Sequence, residues 1–205
     1  MLEISGAGSV IRVVQPTANT MSTEQVAGLA LIAFGMTECF LRRGATARSI
    51  KTTTADKGTT PLIFGSYAAV VCLLFLPTLP GAILPVSVAW MGVGLAFAGL
   101  VFRWWAVIVL GRFYTRTLTT TPEQSVVTRG PYRWIRHPGY LGSLLTWTGA
   151  AVASKNVFVC ILVLSLLVWA YMLRIRAEEA MLVESLGVGY TDYQQKSWRL
   201  LPFLF

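Results

Sequence analysis

The strongest constraint on this chain is the length of its apolar runs. Residues 62–110 are predominantly apolar and are broken only by the uncharged cluster Pro77-Thr78-Leu79-Pro80-Gly81. Further apolar stretches occupy residues 25–41, 140–153 and 157–173. A helix needs about 20 apolar residues to cross a bilayer. The Pro/Gly cluster is a helix breaker, so it divides the longest run into spans over 62–79 and 84–110. Five candidate spans result. The fourth is short and pairs with the fifth across Ser154-Lys155-Asn156, which predicts a tight helical hairpin. Only 13% of the residues are charged, against about 25% in a soluble domain. That deficit is too large for a surface wetted on every side. The expected fold is therefore all-α, an integral membrane helical bundle of about five transmembrane helices. The 205 residues fit one domain. Residues 1–24 read as an N-terminal tail, 25–110 as transmembrane helices 1–3, and 111–205 as a region holding the transmembrane hairpin 140–173 and a cytoplasmic C-terminal segment.

The net charge is +8, but its placement argues for membrane topology rather than nucleic acid. Arg42, Arg43, Arg48, Lys51 and Lys57 follow the first span, and Arg112, Arg116, Arg129, Arg133 and Arg136 follow the third. Arg174, Arg176, Lys196 and Arg199 follow the fifth, whereas the opposite side holds only Arg12 and Lys155. Cytoplasmic loops carry the excess of Lys and Arg, so the expected arrangement is N-terminus out and C-terminus cytoplasmic. Residues 1–21 show no signal-peptide pattern. Cys39, Cys72 and Cys160 lie in apolar segments at spacings that match neither a metal motif nor a disulfide framework, and read as buried small hydrophobes. Glu38, inside the first span but close to Arg42, is expected to reach water at the cytoplasmic end. The alternative is a polar contact inside the bundle.

The polar residues concentrate between Gly111 and Pro202. Thr128-Arg129-Gly130-Pro131-Tyr132-Arg133-Trp134-Ile135-Arg136-His137-Pro138-Gly139-Tyr140-Leu141-Gly142 leads into the fourth span, and Arg174-Ile175-Arg176-Ala177-Glu178-Glu179 leaves the fifth. Pro138 suits the first turn of a helix, where its missing N–H costs nothing. The outward amides of such a turn can receive a carboxylate. Arg174 and Glu178 are four apart and share one helix face, with Glu179 about 100° round from Glu178. Gly187 is a plausible stop for that helix. Each feature also has a plainer reading. Arg174 and Glu178 read equally as an exposed ion pair, and Tyr132, Trp134 and Tyr140 as an interfacial aromatic belt. The single histidine rules out a His-based metal cluster and argues against zinc.

The order Gly-Pro-Tyr-Arg-x-x-Arg-His-Pro-x-Tyr-x-Gly, an apolar hairpin, Glu178-Glu179 and a closing Leu201-Pro202-Phe203 resembles the isoprenylcysteine carboxyl methyltransferase family over about the last hundred residues. The resemblance implies a membrane methyltransferase that uses S-adenosylmethionine at the cytosolic face, under its C-terminal segment. A lipid-like acceptor, a prenylated cysteine, would enter from the bilayer. The expected location is an endoplasmic reticulum or bacterial inner membrane; the placement of the basic residues argues against a nucleic-acid partner and the single histidine against a metal. No glycine-rich dinucleotide loop is present, in keeping with a cofactor site of another type. Carried over by motif, the cofactor contacts are Gln124, Ser125, Val126, Val127, Tyr132, His137, Pro138, Gly139, Tyr140, Glu178 and Glu179. The catalytic set is Arg174, Glu178 and Arg199, with Arg174 on the substrate side. The family more often has His-x-Leu-Val where this chain has Gln124-Ser125-Val126-Val127, so a backbone contact carries over there more readily than a side-chain one. Three alternatives remain at this level: a methyltransferase for another lipid, thiol or amine; an NADPH-dependent sterol-type membrane reductase; and a small transporter or scaffold.

Overall fold

The computed structural model describes residues 21–41, 58–75, 81–114 and 125–202. The first basic loop, Pro77 to Pro80, Gln124 and the tail up to residue 20 lie outside the described residues, as does Phe203. Every regular element among the described residues is helical: α1 (Thr23–Leu41), α2 (Thr59–Phe75), α3 (Val86–Leu110), α4 (Pro138–Ala153), α5 (Val157–Leu186) and α6 (Val188–Lys196). Short 3-10 turns at Gly111–Phe113 and Gly130–Arg133 flank the connection between α3 and α4. Of these helices, α3 and α5 are long and apolar enough to cross a membrane, and α2 is a shorter apolar helix. Their outward faces carry Val86, Met91, Val101 and Ile108 on α3 and Ile161, Leu164 and Trp169 on α5. So extended an apolar exterior suits lipid better than water.

Local sequence rules account for several boundaries. α4 begins at Pro138, where the first-turn amide would lack a helical partner anyway. The hairpin between α4 and α5 forms where the sequence places it. Lys155 takes a left-handed φ of 65°, and the Asn156 side chain caps α5 by accepting from the Val159 amide at 3.1 Å. The segment before α3 is tied to this turn, the Leu84 amide donating to the Lys155 carbonyl and the Val157 amide to the Ala82 carbonyl. α5 ends at Leu186, with Gly187 at φ 56°. This is the expected course: the helix runs on past the apolar stretch that ends at residue 173, carries Arg174, Glu178 and Glu179, and stops before Gly187.

α4 is the most buried helix, and the α3–α4 seam explains why. Gly92, Ala96 and Gly99 of α3 meet Gly142, Thr146 and Gly149 of α4. A Cβ on Gly99 would lie 2.8 Å from the Gly142 carbonyl oxygen, and one on Gly149 would lie 2.6 Å from the Gly92 carbonyl oxygen. The absent side chains let the two backbones touch, which is how helices associate where lipid weakens the hydrophobic drive. On the other side, α5 buries Val159, Val163, Leu167, Tyr171 and Ile175, a stripe at helical spacing. Phe34, Tyr67 and Trp147 form an aromatic cluster joining α1, α2 and α4, with centroids 5.0 to 5.6 Å apart. The thiols depart from expectation: Cys72 is exposed on α2 and Cys160 is half-buried. Cys72 faces outward, whereas Cys160 packs against the edge of the core, and the Cys39 side chain lies outside the described residues.

Candidate active site

The helices enclose a cavity of about 170 Å³ at the end of the bundle where α4 begins and α5 emerges. α2 contributes Thr60, Ile63, Phe64 and Tyr67 to it, α3 contributes Arg103, Val107 and Leu110, and α5 contributes Arg174, Glu178, Met181, Leu182 and Leu186. The sequence-derived residues Ser125, Val126, Val127, Tyr132, His137, Gly139 and Tyr140 also line it. Ser125 to Val127 lie in neither helix nor strand, so no regular element sets the direction of their backbone groups.

Tyr140 organises one wall. Its hydroxyl donates to Glu178 Oε2 at 2.7 Å and accepts from Arg174 Nε at 3.2 Å. Arg174 and Glu178 thus share a face through a tyrosine, not as an exposed ion pair. Arg174 is buried, 4% exposed, and its Nη1 donates to the hydroxyls of Thr59 and Thr60 at 2.9 Å each. Those threonines begin α2, so the guanidinium ties three helices together. Two amides at the start of α4 are not open to a carboxylate. The amides of Tyr140 and Leu141 donate to the His137 carbonyl at 3.1 and 3.2 Å and are spent within the turn.

Glu179 faces away from Glu178, into a cationic cluster. Arg136 Nε donates to its Oε1 at 2.8 Å, and Arg199 Nε donates to its Oε2 at 2.9 Å. His137 Nε2 lies 3.3 Å from Oε1, a contact that with an ionised carboxylate places the proton on Nε2. Burial by itself would raise the Glu179 pKa, but the bonds from His137, Arg136 and Arg199 outweigh it and hold the carboxyl at about 2. Because the folded pKa is depressed, the stabilisation is fully present above the ordinary carboxylate range near 4.5 and is lost as pH falls toward 2. Glu179→Gln protein is therefore expected to be less stable than wild type at pH 7, by on the order of 3 kcal/mol. The gap should shrink between pH 4.5 and 2, as read by thermal unfolding in detergent at several pH values.

The cluster also docks the C-terminal segment. Trp198 pairs with Ile135 in a parallel bridge, the Trp198 amide donating to the Trp134 carbonyl at 2.7 Å and the Arg136 amide to the Trp198 carbonyl at 2.8 Å. Arg136 Nη1 donates to the carbonyls of Gln194 and Ser197, and the Tyr193 hydroxyl donates to the Tyr132 carbonyl at 2.6 Å. Tyr190 and Tyr193 of α6 complete the cavity wall. Arg199, Glu179 and Pro138 are not among the lining residues. The first two form the clamp behind the wall, and Pro138 is fully buried at the helix start. Trp134 is exposed, whereas Tyr132 and Tyr140 belong to the cavity, so these three aromatics do not form one belt.

Sequence reasoning missed Arg103 and misjudged Glu38. Glu38 does not simply reach water: it accepts from Arg103 Nε at 3.2 Å and from Nη2, with the two side chains 17% and 8% exposed. A carboxylate within an apolar span calls for a buried cation, and Arg103 is the basic residue of α3. That was the available signal. Tyr67, Thr59, Thr60 and Tyr114 were also not foreseen.

Comparison with known proteins accords with this geometry. Residues 92–184 match the family described as isoprenylcysteine carboxyl methyltransferase. A probable protein-S-isoprenylcysteine O-methyltransferase of Oryza sativa subsp. indica is 33% identical over 120 residues, covering 57% of this chain and 62% of the relative. The protein-S-isoprenylcysteine O-methyltransferase of Tribolium castaneum is 31% identical over 117 residues, covering 56% of this chain and 41% of the relative. The chain thus spans less than two thirds of these relatives. The solved structure of the eukaryotic intramembrane Ras methyltransferase, isoprenylcysteine carboxyl methyltransferase without a monobody, superposes with a TM-score of 0.64 at 19% identity. That superposition covers 91% of this chain and 70% of the other, and shows a shared fold. Over residues 92–184, from within α3 to the last turn of α5, the chain is thus similar to the isoprenylcysteine carboxyl methyltransferase family.

Proposed function

We propose that this chain is a membrane methyltransferase that uses S-adenosylmethionine to methylate the α-carboxylate of an S-prenylated cysteine or an analogue of it. The observation that carries the reading is the Arg174–Tyr140–Glu178 bridge on one wall of the cavity. The donor set suits such a cofactor, which bears a carboxylate, an ammonium and a sulfonium. Glu178 offers an anionic group to the cavity and Arg136 and Arg174 offer cationic ones, while Glu38 and Arg103 at its wall are engaged with each other. In this reading Glu178, Tyr132, His137, Gly139, Tyr140 and the backbone of Ser125 to Val127 hold the cofactor. When bound, that group supplies an already activated methyl. The relatives' names supply the acceptor class, a prenylated cysteine.

Little acid–base equipment is then required, because an acceptor carboxylate is ionised near pH 7. Arg174 orients that carboxylate with a rigid guanidinium already fixed by Thr59, Thr60 and Tyr140. The apolar wall of Ile63, Phe64, Val107 and Leu110 accommodates the prenyl chain and keeps water out. Glu179, Arg136 and Arg199 hold the C-terminal segment against the loop before α4. Five crossings with the N-terminus outside and the C-terminus cytoplasmic complete the reading. They put the cavity on the cytoplasmic side, where the basic residues gather.

The test is calorimetric binding of S-adenosylhomocysteine to detergent-purified protein, beside an NADPH control. Saturable binding of the former is expected, weakened by about tenfold or more in Glu178→Ala. Binding of NADPH in its place would overturn the methyl-transfer reading.

A further inference from the structure

The Glu38–Arg103 pair reaches the reacting centre through the backbone. Arg103 has five N–H donors, and each meets an acceptor. Nε and Nη2 donate to Glu38, and Nη2 also donates to the Tyr114 hydroxyl at 3.3 Å. Nη1 donates to the Gly139 carbonyl at 3.0 Å and to Ser143 Oγ at 2.7 Å. Ser143 Oγ in turn donates to the same Gly139 carbonyl at 3.0 Å. Gly142 makes this reach possible, since a Cβ there would stand 2.7 Å from the Arg103 Cβ and amide nitrogen. Gly139 immediately precedes Tyr140, whose hydroxyl stands between Arg174 and Glu178. A guanidinium anchored on α1 therefore grips the backbone one residue from the bridge.

We propose that Arg103, anchored by Glu38, is a positioning residue: it fixes the first turn of α4 and so sets where the Tyr140 hydroxyl stands between Arg174 and Glu178. The proposal deepens the methyl-transfer reading and rests on it. A merely structural ion pair behaves differently. Replacing a buried pair by apolar side chains of similar volume is often neutral for stability, so the fold should tolerate a change that abolishes the grip.

The experiment compares wild type with the double variant Glu38→Met/Arg103→Met, each with and without Tyr140→Phe. Melting temperature, S-adenosylhomocysteine affinity, and kcat and KM with S-adenosylmethionine and a farnesylcysteine analogue are measured. The double variant is expected to melt close to wild type and lose about tenfold or more in kcat, with the acceptor KM changed only a few-fold. Adding Tyr140→Phe should bring little further loss, because both changes act through one hydroxyl. Wild-type kcat in the double variant, or losses that multiply with Tyr140→Phe, would overturn the proposal. Should the double variant not fold, Glu38→Gln carries the same cycle: a smaller kcat loss coupled to Tyr140→Phe supports it, and an uncoupled one overturns it. Wild-type protein that transfers no methyl group would instead sink the methyl-transfer reading, together with what rests on it.

Discussion

Arg174→Ala is expected to lower turnover by about 100-fold or more while S-adenosylhomocysteine affinity stays within a few-fold of wild type. The asymmetry follows from where Arg174 points. It lines the cavity while 4% exposed, and its Nε and Nη1 bonds go to the hydroxyls of Tyr140, Thr59 and Thr60. Those hydroxyls hold the guanidinium at the cavity wall, where it can align an acceptor carboxylate. Loss of a group that aligns the acceptor removes orientation, and small misplacements at a reacting centre are costly. Arg174→Lys should recover little, because a point charge on a flexible stem cannot reproduce the planar fork. Isothermal titration beside a radiolabelled methyl-transfer assay separates the two quantities. Full activity in Arg174→Ala protein would remove Arg174 from the acceptor role.

The largest stability effect is expected at Gly149. Gly149→Leu should destabilise the protein by about 3 kcal/mol or more, or prevent folding, because an added side chain forces apart helices in backbone contact. A Cβ there meets the backbone of Ala96 and the Gly92 carbonyl, and neither can turn aside as a flexible side chain would. Gly94 on the same α3 supplies the contrast. Nothing lies within 4 Å of a Cβ built there, so Gly94→Ala should be neutral or stabilising by up to about 1 kcal/mol. Thermal unfolding followed by fluorescence in one detergent would compare the two. Equal melting temperatures would show that the seam is looser than its distances indicate.

What the sequence discloses here depends on how far apart the interacting residues lie. Pro138, Asn156 and Gly187 act on their own immediate backbone, so the start of α4, the hairpin turn and the end of α5 follow from short-range rules. The Tyr140, Arg174 and Glu178 wall was legible only because a family resemblance put those residues in one site. Helical spacing placed two of them on one face and said nothing of the tyrosine that joins them. Glu38 and Arg103 are 65 positions apart, and Arg174 and Thr59 are 115 apart. No periodicity encodes such pairings. They emerge when the glycines of α3 and α4 bring the helix backbones together, a tertiary effect that a lone glycine in an apolar run does not advertise. Glu179 was illegible for a related reason: its partners Arg136, His137 and Arg199 come from two separate stretches of chain.

The Glu179 cluster has a consequence for the order in which the molecule is made. Translation delivers Arg136 and His137 first, then Glu179, and Arg199 after all three. Until Trp198 and Arg199 emerge, Ile135 lacks its bridging partner and Glu179 Oε2 lacks the bond that fastens the C-terminal stretch. The helices can therefore be threaded into lipid while the cavity is still unroofed. A chain stalled before Trp198 and Arg199 are available would be inserted but unsealed, so closure of the site follows insertion of α5.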